Sequence, residues 1–192
     1  MMKLRFRTLF FATCFALIAT AAQAQEMVHA LSGTVKSFNA KIGMTEIETD
    51  DGSSSHFRWL LFAGAEAVNF DKTISANSVT PDKFTAAGHH VIVYYYGQDT
   101  VRILVALHDL GDGPVENHVG TFVKMDRHDH LLTIKNSAGT EESFHVDPKT
   151  VADTATGVFE GFKFDLSKGE TVRVTAAQAN GSATALLIAA GV

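Results

Sequence analysis

Residues 44–57, MTEIETDDGSSSHF, form the stretch that decides the fold. In its first half Thr45 and Ile47 alternate with Glu46 and Glu48, which is the pattern of a half-buried strand. The turn Asp50–Ser53 follows, and Gly52 suits it because glycine reaches positive φ without strain. A second strand then returns to Phe57. The same design recurs 87 residues later in residues 131–144, LLTIKNSAGTEESF, so both stretches predict a β-hairpin.

The repeat extends beyond this hairpin. Four sites of the first copy, Gly33-Thr34, Ile47, Gly52 and Phe57, recur with the same offset as Gly120-Thr121, Ile134, Gly139 and Phe144. Further along, Val91 and Val93 recur as Val172 and Val174, with an offset of about 80. A constant offset in matching turn contexts indicates a tandem duplication. We predict units at 31–111 and 118–192, joined by a turn-rich linker at 112–117.

Each unit is predicted to contain five short strands, with a short helical element before strand four. In the first unit Thr80 suits the cap of that element, Pro81 its first position and Gly88 its exit. This order is typical of a small OB-like barrel. The predicted fold class is therefore all-β, with two tandem OB-like five-stranded barrels.

A family resemblance agrees with that fold. The sequence Gly-Thr-Val at 33–35, the hairpin glycine after Ile47, Phe57, and Gly88 before Val91 resemble the small secreted OB-fold-like barrels of bacteria. Several such families are known only as domains of unknown function. The resemblance spans both units and implies the fold and export. It implies no chemistry, because its motifs are structural glycines and core aliphatic residues.

The first 24 residues predict a secretory signal peptide. Residues 1–7, MMKLRFR, are basic, residues 8–22 are apolar or small, and Ala22-Gln23-Ala24 offers a cleavage site before Gln25. The apolar stretch, at about 15 residues, is short for a membrane-spanning helix. Residues 25–30 are then an N-terminal extension, and we expect a periplasmic or extracellular protein without a transmembrane segment after cleavage.

Charge and cysteine content exclude several classes of function. Removal of the signal leaves 13 of the 16 basic residues and all 21 acidic ones, a net charge of −8 with neutral histidines. Such a surface repels nucleic acid. The only cysteine, Cys14, lies in the signal, so neither a disulfide nor a thiolate site is expected. No nucleophile-elbow, zinc-protease or phosphate-loop motif occurs. We therefore predict a non-enzymatic binding or envelope-interaction module without a cofactor, whose partner is a small molecule or an envelope protein.

The outer face of the first hairpin is the first candidate site. Strand alternation places Glu46, Glu48, His56 and Arg58 together, and we expect Glu46 opposite Arg58 and Glu48 opposite His56. The corresponding face of OB-type barrels is a usual ligand platform. The alternative is cross-strand charge pairing on a solvated surface.

A histidine-rich turn is the second candidate site. His128, Asp129 and His130 follow Asp126, and their nitrogen and oxygen donors suit Cu or Zn. Periplasmic metal handling by surface histidines is therefore the alternative function. A plain solvent-exposed turn is the other interpretation of these residues.

The same alternation predicts which side chains form the core. The expected core positions are Ile47, Phe57, Trp59, Ile134, Phe144 and Val146. In residues 94–96 we expect Tyr94 and Tyr96 to face the barrel interior. Tyr95 would then face outward opposite Arg102, with a cation–π contact.

Overall fold

The computed structural model describes residues 27–59, 78–97, 102–179 and 181–191. The predicted signal peptide lies outside these residues. The described chain is all-β, as predicted, and contains no α-helix. Within the same ranges, no helix is long and apolar enough to cross a bilayer.

The strands fall into two sheets, each built from one half of the chain. The first unit contains β1 (His29–Asn39), β2 (Met44–Thr49), β3 (Ser54–Trp59), β4 (His90–Tyr96) and β5 (Arg102–Gly111). The second unit contains β6 (Val115–Asp126), β7 (Leu131–Asn136), β8 (Glu141–His145), β9 (Val151–Thr154), β10 (Gly157–Glu160), β11 (Thr171–Ala179) and β12 (Ser182–Ala190). Because β6 begins at Val115, the connection between the units is shorter than the predicted linker 112–117. Similarly, β1 begins at His29, inside the predicted extension 25–30.

The first sheet closes on itself. Its strands pair in the order β1-β2-β3-β5-β4, and β4 returns to β1. The β3–β5 pair is parallel and the other pairs are antiparallel. A 3₁₀ turn at Pro81–Lys83 precedes β4, and Gly88 follows it with a φ of +88°.

The second sheet has seven strands, so the prediction of five was wrong. Its order is β10-β9-β12-β11-β6-β7-β8, and one parallel pair, His145 with Thr184, also joins β8 to β12. The two additional strands are the β9–β10 hairpin, which extends the sheet beyond β12. Residues 161–170 before β11 form turns rather than a helical element.

The two units share strand registers at the predicted offsets. The bulge between Val35 and Ser37 recurs 87 residues later between Phe122 and Lys124, and the shift between Tyr94 and Tyr95 recurs 81 residues later between Thr175 and Ala176. Bulges interrupt the ladder at single positions. Both units therefore bend corresponding strands at corresponding places.

The hairpin register differs from the prediction by two residues. Thr45 lies opposite Phe57, Glu46 opposite His56 and Glu48 opposite Ser54. A shift of two residues keeps every side chain on its predicted face, because strand side chains alternate with period two. The predicted core is therefore confirmed despite the register error, and none of its six residues is more than 7% exposed. Trp59 Nε1 donates to Thr45 Oγ1 at 2.8 Å inside the first barrel.

Besides the apolar core of each unit, a separate apolar cluster joins the two units. Its buried members are Val28, Ala30, Ile92, Tyr94 and Ala106 of the first unit, and Val151 and Leu187 of the second. Tyr94 thus faces the other unit, and the prediction that it faces the barrel interior was wrong. Tyr95 packs on the interior side instead, with its ring 5.4 Å from that of Phe57. Both faces of β4 are buried, so its apolar pattern could not identify the barrel side.

Candidate ligand site between the two units

A cleft of about 200 Å³ opens where the two units meet. We call it the inter-unit cleft. Its polar lining includes Ser32, Asp50, Asp51 and Arg102 from the first unit, and Arg173 and Thr175 from the second. Because both units supply polar side chains, the site exists only when they are packed together.

The β2–β3 turn positions the two aspartates at the cleft. The backbone N–H of Asp50 donates to Ser32 O at 3.1 Å, which fixes the turn against β1. Asp51 Oδ1 accepts the backbone N–H of Ser53 at 2.8 Å. Hydrogen bonds from the Thr49 and Ser53 side chains, and from the Ser53 backbone, lower the pKa of Asp51 to about 2. Asp51 is therefore a carboxylate at neutral pH.

Asp50 is the centre of a buried polar cluster that joins the units. Its Oδ2 accepts hydrogen bonds from Ser32 Oγ, from His90 Nε2 at 3.2 Å and from Thr175 Oγ1 at 3.1 Å. Burial acts to raise the pKa of Asp50, but the hydrogen bonds from His90, Ser32 and Thr175, together with the electrostatic effect of His90, outweigh it and leave the pKa below its ordinary value. Thr175 also lies 2.8 Å from Asn117 Oδ1. This cluster ties β1 and the β2–β3 turn to β11.

The cluster contains a hydroxyl, an imidazole and a carboxylate, but not in a serine-hydrolase arrangement. Such a triad needs the imidazole between hydroxyl and carboxylate, so that it can remove the hydroxyl proton. Here Ser32 donates directly to Asp50, which lies between it and His90. Thr34 Oγ1 lies 3.5 Å from His90 Nδ1, at the limit of a hydrogen bond. The arrangement therefore orients the imidazole of His90 and stabilises the interface between the two units.

Two arginines line the cleft from opposite sides of the junction. Arg102, on β5, donates to Ser55 Oγ at 3.0 Å and lies 5.3 Å from the Tyr95 ring centre, so the expected cation–π contact is present. Arg173, on β11, is close enough to Asp51 to lower its pKa. A guanidinium carries several N–H donors and no acceptor. Both groups can therefore bind a ligand oxygen.

The remaining acid of the cleft, Asp153, is paired with a histidine. Its Oδ1 lies 3.3 Å from His29 Nδ1, across the junction between β9 and β1. Burial raises the pKa of Asp153, and the nearby His29 acts in the opposite direction. This contact joins the β9–β10 hairpin to the first unit.

The predicted ligand face lies apart from the cleft. Glu46, Glu48, His56 and Arg58 share the outer face of β2 and β3, as predicted, and none of them lines the cleft. Glu48 forms an ion pair with Lys36, and Glu46 accepts from two serine hydroxyls. These contacts are those of a solvated polar surface. A ligand on this face stays a prediction.

The predicted metal residues lie in the β6–β7 turn. His128 is 96% exposed at its side chain, and its Nδ1 lies 2.8 Å from Asp129 Oδ1. The His130 ring instead packs on Phe162, at 4.2 Å between centroids. Asp126 accepts the backbone N–H groups of residues 128 and 129, which lowers its pKa. Within the described ranges, no group of three or more His, Asp or Glu residues is placed to hold a metal.

Sequence reasoning missed the cleft because its residues lie far apart in the chain. Ser32 and Thr175, whose hydroxyls are 2.7 Å apart, are separated by 143 residues. A difference between the two copies of the repeat could have indicated the polar cluster at the cleft. The positions of Ser32, Asp50 and His90 correspond to Val119, Ser137 and Thr171 in the second unit, so only the first copy carries the polar cluster.

Comparison with known proteins does not assign the chain to a family. No protein-family model matches it, and no curated protein matches it. Its function is therefore argued from the inter-unit cleft itself.

Proposed function

We propose that this protein is an exported, non-enzymatic binding module built from two OB-like units, and that its ligand occupies the inter-unit cleft. The observation that carries the proposal is the lining of the cleft, to which both units contribute arginine and hydroxyl side chains. Ligand pockets commonly lie between domains, where a few convergent polar groups set specificity. The partner is then a small molecule rather than nucleic acid.

Strand topology supports the OB-like assignment. The first unit has the order β1-β2-β3-β5-β4 with a parallel β3–β5 pair. The second unit has the corresponding pairs among β6, β7, β8, β12 and β11. The shared bulges and offsets favour a tandem duplication, because independent barrels would not place irregularities at matched positions.

The arrangement of the polar cluster supports a binding role rather than catalysis. Asp50 accepts hydrogen bonds from both Ser32 and His90, so the imidazole does not hold the Ser32 hydroxyl. The hydroxyl on the other side of the imidazole, Thr34 Oγ1, is 3.5 Å from His90 Nδ1, at the limit of a hydrogen bond. The basic and apolar N-terminal sequence supports export.

Metal handling, the alternative function, receives less support. His130 packs against Phe162, the exposed His128 contacts Asp129, and no group of three or more His, Asp or Glu residues in the described ranges is placed to hold a metal. Equilibrium dialysis against Zn and Cu, followed by elemental analysis, tests this alternative directly. Retention of stoichiometric metal that is lost when both histidines become alanine would favour it over the cleft.

A cleft-filling variant tests the proposed function. Ala189 lines the cleft opposite Arg173 on the β11–β12 ladder, so Ala189→Phe places a ring in the ligand space. A chemically varied set of small molecules would be screened by ligand-observed NMR against the full exported chain. We expect at least one compound to bind and Ala189→Phe to abolish its binding.

Ala138→Phe is the matched control, because Ala138 lies in the exposed β7–β8 turn. It should leave binding unchanged. Thermal melts of both variants establish that they are folded. A screen in which every bound compound is retained by folded Ala189→Phe would overturn the proposal.

A further inference from the structure

The cleft has more unused hydrogen-bond donors than unused acceptors. Its acids are already engaged, since Asp50 Oδ2 receives three donors and Asp153 is paired with His29. Arg102 donates one N–H to Ser55, and Arg173 makes no side-chain hydrogen bond to another described residue. A guanidinium has several N–H donors, so both arginines keep donors that a ligand could use. A ligand that supplies acceptor oxygens fits these donors.

The charges around these donors favour a monoanion. The planar fork of an arginine matches carboxylate and phosphate alike. Asp51, whose pKa is lowered to about 2, also lines the cleft, and Asp50 lies beside it. Two carboxylates would repel the nearly doubly charged phosphate of a monoester more strongly than a singly charged carboxylate.

Part of the lining is apolar. Leu31 and the Tyr95 ring come from the first unit, and Leu187 and Ala189 come from β12 of the second. The volume of about 200 Å³ equals that of roughly seven water molecules. Benzoate and hexanoate are small enough for this volume, and each has an apolar body that could pack on Leu31 and Leu187.

We propose that the inter-unit cleft binds a small monocarboxylate with an apolar body, held at its carboxylate by Arg173 of the second unit and Arg102 of the first. This proposal rests on the proposed function, because it names the ligand class of the same cleft. Binding across the junction also stabilises the packed arrangement of the two units, since only that arrangement presents both arginines.

Calorimetric titration of the full exported chain with benzoate and hexanoate tests the ligand class. Benzamide and hexanamide serve as neutral analogues of the same shape, and inorganic phosphate serves as the competing anion. We expect the carboxylates to bind at least about tenfold more tightly than the amides, because hydrogen bonds to charged groups are the stronger ones. Phosphate should compete weakly. Equal affinity for acid and amide, or tighter binding of phosphate, would overturn the ligand class.

Charge variants locate the binding groups. Arg173→Gln should weaken carboxylate binding at least about tenfold, with little effect on the binding of the amides. Lys168→Gln is the matched charge control, because Lys168 is exposed in the turns before β11 and does not line the cleft. An equal loss in both variants, or a loss only in Lys168→Gln, contradicts binding through the cleft arginines.

Failure of the ligand class is distinguishable from failure of the proposed function. If neither carboxylate binds but another compound does, and Ala189→Phe abolishes its binding, the cleft remains the ligand site and the class is wrong. If no binding is sensitive to Ala189→Phe, both proposals fall.

Discussion

At the scale of single residues, the paired glycines explain why the repeat is visible in the sequence. A Cβ on Gly33 would lie 2.4 Å from Glu48 O, and one on Gly120 would lie 2.6 Å from Lys135 O. Each glycine therefore allows its strand to approach the backbone of the next one. The sequence predicted that these positions correspond, but the reason depends on a close approach between strands that only the structure contains.

Gly33→Ala should therefore destabilise the protein. Its methyl group would meet backbone atoms, which cannot move aside as a flexible side chain can, and overpacking of this kind costs about 1–3 kcal/mol. Urea unfolding measures the change. Gly113→Ala is the matched control, because nothing lies within 4 Å of a Cβ at that position. Similar unfolding midpoints for the two variants would contradict the close approach.

At the scale of strands, the alternation of side chains predicted the face on which each residue lies better than it predicted strand registers or the barrel side of β4. Ile47 and Phe57 are buried as expected, although the hairpin is shifted by two residues from its predicted pairing. Alternation failed at β4, where Val93 faces the barrel and Tyr94 faces the second unit, so both faces are apolar. The β9–β10 hairpin was missed because its strands have only four residues each, too few to show a period.

The ionisation of Asp50, in the β2–β3 turn, should make the free energy of unfolding depend on pH. The folded-state pKa of Asp50 lies below its ordinary value, so its ionisation stabilises the fold above about pH 4 and this contribution is lost as the pH falls through the folded-state pKa. Asp50→Asn should be less stable than the parent at pH 7. The difference between their unfolding free energies should shrink as the pH falls below the ordinary pKa of an aspartate, about 4.

Denaturant unfolding at a series of pH values measures this difference. The matched control is Asp112→Asn, in the exposed connection between β5 and β6. Its difference from the parent should be small and nearly constant with pH, because an exposed substitution away from such clusters has little effect. A difference for Asp50→Asn that grows as the pH falls would show that ionised Asp50 opposes folding.

At the scale of the whole molecule, the junction between the units combines three kinds of contact. An apolar cluster surrounds Tyr94, a polar cluster surrounds Asp50, and His29 contacts Asp153 on the β9–β10 hairpin. The sequence predicted the number of units and much of each core from local periodicity. It could not predict the junction or the cleft, because these depend on contacts between residues more than a hundred positions apart.

If the junction couples the units, they should unfold together. The full chain should show a single calorimetric transition whose calorimetric and van't Hoff enthalpies agree. Tyr94→Ala removes a side chain that is 1% exposed and central to the junction, so it should leave a cavity between the units and destabilise by about 3–5 kcal/mol. Because the loss falls on the contacts that link the units, we expect the transition to separate into two.

Phe144→Ala distinguishes lost coupling from lost stability. Phe144 is also 1% exposed, but it lies in the core of the second unit, so its removal should destabilise by a similar amount of about 3–5 kcal/mol. The junction stays intact in this variant, and a single transition at a lower temperature is therefore expected. Two transitions in the parent protein, or one transition in both variants, would mean that the apolar cluster around Tyr94 does not carry the coupling. In that case the polar cluster at Asp50 and the His29–Asp153 contact would be the remaining links, and Asp50→Asn would be the variant expected to separate the units.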